Sequence, residues 1–101
     1  MYAVIFKASV EQFDEEYFAM AERLRKLAFE HYGCQGFDSF TEGSSEVAIS
    51  YWPSLEQIQA WKSDPVHLAA QKAGQGQWYS SYQVQIVEVL REYDFAATTG
   101  R

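Results

Sequence analysis

A chain of 101 residues and 11.6 kDa has the length of one domain, since a second core would have almost nothing left to bury. At 48% hydrophobic and 17% aromatic it is too rich in core-forming side chains to stay disordered. Eight basic against fourteen acidic residues leave a net charge of −6, which repels nucleic-acid phosphates and the anionic face of a membrane. No apolar run approaches the roughly 20 residues of a transmembrane helix. The amino end reads as a strand rather than a secretory leader, so the expected location is the cytoplasm. Cys34 is the single cysteine, which excludes an intrachain disulfide and a paired-cysteine metal site.

In chain order, Tyr2, Val4, Phe6, Ala8 and Val10 recur at period two, with Ala3 and Ile5 making the opposite face partly apolar. This predicts a first strand covered on both sides. From about Glu11 to His31 the residues Tyr17, Met20, Ala21, Leu24, Leu27 and Ala28 recur at three and four, the stripe of an amphipathic helix. Its acidic start and basic later half complement the helix dipole, and Gly33 is a left-handed stop. Phe37 to Thr41 and Glu46 to Trp52 form a hairpin around the turn residues Glu42-Gly43-Ser44-Ser45.

Ser54 and Gln57 match a capping box and begin a short second helix carrying Leu55, Ile58 and Trp61. Asp64-Pro65 restarts it, and the helical pattern of Val66, Leu68, Ala69 and Ala70 weakens at Gly74 and Gly76. Tyr82 to Tyr93 reads as a last strand with apolar residues on both faces, followed by a frayed tail over 96–101. The order βαββαβ, with the second helix broken, is that of an α+β ferredoxin-like fold in one domain over 1–95. It predicts a four-stranded antiparallel sheet with helices on one face. The apolar second face predicts a homodimer in which two sheets pack against each other.

The run Trp61-Lys62-Ser63-Asp64-Pro65-Val66-His67-Leu68-Ala69-Ala70-Gln71 is flanked by Ile49-Ser50-Tyr51-Trp52 and by Trp78-Tyr79-Ser80-Ser81-Tyr82. Over residues 2 to 95 the chain resembles the antibiotic biosynthesis monooxygenase family, the dimeric α+β barrel group. The resemblance implies a cofactor-independent monooxygenase acting on a small electron-rich aromatic compound, with no metal. The same family also implies a different class, a non-catalytic small-molecule binding or stress-associated dimer. Haem-degrading relatives require an axial histidine where this chain has Gln71, and an asparagine near its Phe6 and Lys7. Both departures count against haem.

His67 and Gln71, four apart on a helix, share a face and form the leading polar cluster. His67 either packs on a carbonyl beneath a loop or faces a cavity as base or proton relay. Gln71 would donate to a developing oxyanion. Trp61 is either core or a wall against an aromatic ligand, and Tyr51, Trp52, Trp78, Tyr79 and Tyr82 concentrate aromatic surface around the same helix. The expected site is therefore His67, Trp61 and Gln71 for catalysis, with Tyr51, Trp52, Trp78 and Tyr82 holding the substrate. His31 reads as a helix-end charge and Cys34 as a small buried hydrophobe. Gly74-Gln75-Gly76 follows a helix and has neither nucleotide-loop spacing, and the acidic run Glu11 to Glu16 lacks the spacing of a calcium loop.

Overall fold

A computed structural model of the chain describes residues 1–97. Residues 98–101 of the expected frayed tail lie outside the described residues, while Ala96 and Ala97 are exposed and outside regular structure. The elements run β1 (Tyr2–Val10), α1 (Glu15–His31), β2 (Gly36–Glu42), β3 (Ser45–Trp52), α2 (Leu55–Lys62), α3 (Pro65–Ala73), a π-helical turn (Gly74–Trp78) and β4 (Tyr79–Glu88). The sheet is antiparallel with strand order β2-β3-β1-β4, the expected ferredoxin-like arrangement.

Local chemistry sets the boundaries. The first helix starts at Glu15 rather than Glu11, because the Asp14 carboxylate accepts from Tyr17 N–H at 2.8 Å and caps it there. It ends at His31, and Gly33, with φ of +76°, then turns the chain so that Cys34 N–H reaches Ala28 C=O at 3.0 Å. Ser54 caps α2 through Gln57, and Asp64 caps α3 by accepting from Val66 N–H at 2.8 Å, with Pro65 at the first helical position. The Tyr32 hydroxyl donates to the same Asp64 carboxylate at 2.6 Å, tying the end of α1 to the start of α3 and holding that carboxyl below its usual range.

Two expectations are corrected. Gly74 and Gly76 do not end the helical path, which continues through the π turn and delivers Trp78 to the interior. The last strand is Tyr79–Glu88 rather than Tyr82 to Tyr93. The register pairs Tyr2 with Glu88, and one further bond runs from Val89 N–H to Met1 C=O. Leu90 and Tyr93 lie outside the strand and are exposed, so their apolar character does not translate into sheet.

Even-numbered residues of β1, β3 and β4 face the helices. On that side the core is divided. One cluster gathers Val4, Ala28, Cys34, Trp52, Ile58 and Trp61, and the other gathers Ala8, Val10, Tyr17 and Trp78. The opposite sheet face carries Ala3, Ile5, Val47, Ile49, Tyr51 and Val87 in register, the apolar second face expected from the sequence.

Candidate active site

A cavity of about 640 Å³ lies between the sheet and α1 with α3, reaching residues of both core clusters. That is the size of a small-ligand site. Val4, Phe6 and Val84 form its sheet floor, and Met20, Ala21 and Leu24 come from the stripe of α1.

One end is built on Trp61. Its ring is buried, lies 5.1 Å from that of Trp52, and receives the His67 imidazole edge-on at 4.5 Å between centroids. The Trp61 indole N–H is already taken by Leu24 C=O at 3.2 Å, so this residue offers the cavity only its ring. Nδ1 of His67 is buried and has no hydrogen-bond partner among the described residues. Burial, and then the charge of Lys62, lower the His67 pKa below its ordinary 6.5, so the imidazole is neutral at pH 7 and able to accept a proton.

Toward the middle stands Tyr82. Its phenol oxygen accepts from Gln75 Nε2 at 2.7 Å and from Gln71 Nε2 at 3.3 Å, and these two donors lower its pKa. Gln71 lines the same cavity as His67, as their spacing on α3 predicts. The far end belongs to the second cluster. There Tyr17 packs edge-on against Trp78 at 5.5 Å, and Tyr79 stands 5.4 Å from Phe6 and 5.7 Å from Tyr82. Burial pushes the Tyr17 and Tyr79 phenols up. Nε1 of Trp78 is likewise buried without a partner among the described residues. A side chain at Gly74 would strike the Tyr79 ring at 2.5 Å, so the π turn needs glycine there to let this wall stand where it does.

His67, Trp61, Gln71, Trp78 and Tyr82 thus meet around one cavity. Tyr51 and Trp52 do not. Tyr51 projects from the opposite face of the sheet, beside Ala3 and Gly36, by the alternation of β3. Trp52 faces inward but is fully buried beneath Trp61, with its N–H donated to Ser50 Oγ at 2.8 Å.

Sequence reasoning missed Glu46, only 8% exposed and on the cavity wall, whose carboxylate accepts from the Thr41 hydroxyl. Counting back by twos from the inward Trp52 through Ser50 and Ala48 reaches Glu46, and this parity was the available signal. Among the described residues no group of three or more His, Cys, Asp or Glu is placed to hold a metal ion. Cys34 is buried, donates to Gly36 C=O, and has its thiol pKa raised by burial, which fits a packing role.

The backbone superposes on SnoaB, a cofactor-independent oxygenase from Streptomyces nogalater in a mutant form, with a TM-score of 0.76 at 14% identity over 90% of this chain and 94% of that one. It also superposes on a candidate antibiotic biosynthesis monooxygenase from Nitrosomonas europaea, with a TM-score of 0.74 at 16% identity over 88% and 89% of the two chains. The architecture is therefore the dimeric α+β barrel fold of the antibiotic biosynthesis monooxygenases. No family model matches the sequence. It is 35% identical over 100 residues to the uncharacterized protein YqjZ of Bacillus subtilis (strain 168), across 98% of this chain and 88% of that protein. The chain belongs to the family of YqjZ. No helix among the described residues is long and apolar enough to cross a membrane.

Proposed function

We propose that the protein is a homodimeric, cofactor-independent monooxygenase acting on a small electron-rich aromatic compound. The observation that carries this reading is an imidazole on the wall of an aromatic cavity of this fold, with its pKa lowered by burial. SnoaB, described as a cofactor-independent oxygenase, has the same fold, which supports the reaction class by analogy.

An aromatic substrate with an acidic O–H or ring-flanking C–H can reduce oxygen itself once deprotonated. The His67 imidazole, which lines the cavity, takes that proton. The resulting anion passes one electron to O2, and the substrate radical and superoxide combine to a peroxide anion. Return of the proton from His67 and loss of water convert a CH2 group to a carbonyl, so one oxygen atom enters the product and the other leaves as water. Tyr82, with two amide donors on its oxygen, keeps its own O–H to donate toward the developing oxyanion, and Gln71 supports it. Trp61 and Trp78 exclude water from the reactive anion.

Oxygen consumption by metal-stripped protein across hydroquinones, anthrones and flavonols tests this. Substrate-dependent uptake is the expected outcome. Retention of an aromatic ligand with no uptake would instead establish the non-catalytic binding protein.

The partner in the proposed assembly is a second copy, docked through the sheet face that carries Ile5, Val47, Ile49 and Tyr51. A half-exposed apolar face in a protein of this size is what a symmetric interface covers. Sedimentation at micromolar concentration should give about twice the chain mass. Replacing Ile49 with Lys should shift the protein toward monomer, and a wild-type monomer would refute the assembly.

A further inference from the structure

The proposed mechanism leaves one buried carboxylate unused. Glu46 opens β3 and faces inward opposite Ala8, whose other neighbour across the sheet is Tyr82. The Thr41 hydroxyl occupies Oε2, and no cation pairs with the carboxylate among the described residues. The second oxygen has no hydrogen-bond partner among the described residues and keeps accessible surface, so it is free to accept from a ligand. Glu46 contributes to the cavity wall, beside Tyr17 and Tyr79, both of which feel its charge.

We infer that Glu46 is a substrate-recognition residue, accepting a hydrogen bond from a neutral hydroxyl on the end of the aromatic ligand opposite His67. The inference rests on the proposed reading of the cavity as an aromatic-substrate site. It adds a second, defined substituent to that substrate: a ring system hydroxylated at both ends.

Length and charge select this class. Trp61, on which His67 rests, packs in the cluster around Val4, whereas Glu46 pairs with Ala8. Val4 and Ala8 are four residues apart on β1, so His67 and Glu46 stand toward different ends of the cavity. A ligand that meets both residues is an extended ring system rather than a single small group. Phe6 lies between the two ends as an apolar floor for such a body. The cavity is lined by Glu22, Glu30 and Glu46 but also by Arg25, Lys26 and Lys62, so it has no net negative field to collect a cationic ligand. A phenolic O–H to a carboxylate is a charge-assisted bond, stronger than a neutral one.

The test is anaerobic binding, which separates recognition from turnover. Dissociation constants of 2,6-dihydroxynaphthalene, 6-methoxy-2-naphthol and 6-amino-2-naphthol are measured by quenching of tryptophan fluorescence in wild type, Glu46→Gln and Thr41→Val. Wild type should bind the dihydroxy compound about tenfold or more tightly than the methoxy compound, as expected for a hydrogen bond to a charged group. Glu46→Gln should abolish most of that preference, and Thr41→Val, which keeps the carboxylate, should retain it. If a variant fails to fold, the comparison of ligands on wild type can still overturn the role of Glu46. Equal binding of the dihydroxy and methoxy compounds overturns the role of Glu46 while leaving the aromatic-site reading intact. Tightest binding of the amine overturns the choice of a hydroxyl, and failure of all three to bind overturns the site reading together with the inference.

Discussion

Replacing His67 with Ala should lower the rate of substrate-dependent oxygen uptake by about 10²- to 10⁴-fold, the usual contribution of one positioned general base. The loss should fall on kcat, because the imidazole acts through proton transfer and the ligand is gripped by the rest of the wall. The variant should still fold, since His67 touches Trp61 through its ring edge and its Nδ1 has no partner to strand. A variant that binds aromatic ligands and consumes oxygen at the wild-type rate would remove His67 from the mechanism. The pH profile adds a second check. The base must be neutral, and burial and Lys62 hold its pKa below 6.5, so the acid limb should lie below pH 6.5 with a plateau at pH 7. The same lowered pKa gives the unfolded chain the greater proton affinity at this group. Its contribution to stability is therefore full above about pH 6.5 and lost as the pH falls through the folded-state value.

Trp52→Ala should cost about 3–5 kcal/mol, the range for deleting a large aromatic from a packed core. Trp52 is fully buried, supports the Trp61 ring, and satisfies the buried Ser50 hydroxyl, so its removal creates a cavity and strands a polar group at once. Against a total stability of about 5–15 kcal/mol, that is enough to bring a small domain close to unfolding at 37 °C. Thermal melting of wild type and variant checks it, and a midpoint within about 5 °C of wild type would show that the tryptophan stack is not a structural support. Trp52→Phe should lose less, because the ring stays while the bond to Ser50 goes.

Most of the architecture follows from local rules that act within a few residues. The period-two pattern of β1, the caps at Ser54 and Asp64 and the left-handed Gly33 fix their elements wherever the chain folds. What escaped sequence reasoning depends on partners distant in the chain. The end of β4 follows its pairing with β1, where Glu88 lies opposite Tyr2, which no property of Val89 or Leu90 encodes. The site divides the same way. His67 and Gln71 are brought together by helical spacing, whereas aromatic content alone does not tell Tyr51 on the outer sheet face from Tyr79 on the cavity wall. Glu46 was hidden because acidic residues near a hairpin turn ordinarily point to water. Only the parity of its strand turns it inward.

The divided core has a thermodynamic consequence. The space between the Val4 and Ala8 clusters is a mostly apolar, partly open cavity that folding leaves unfilled, so the free protein forgoes the dispersion contacts a continuous core would make. A bound aromatic body would supply those contacts to the native state alone. Folding and ligand binding are then linked equilibria: at a hundred times its dissociation constant a ligand adds about 2.7 kcal/mol to the stability of the folded chain. For a domain of this length the melting midpoint would rise by roughly 10 °C or more. The protein's own heat resistance becomes a reporter of what belongs in its interior.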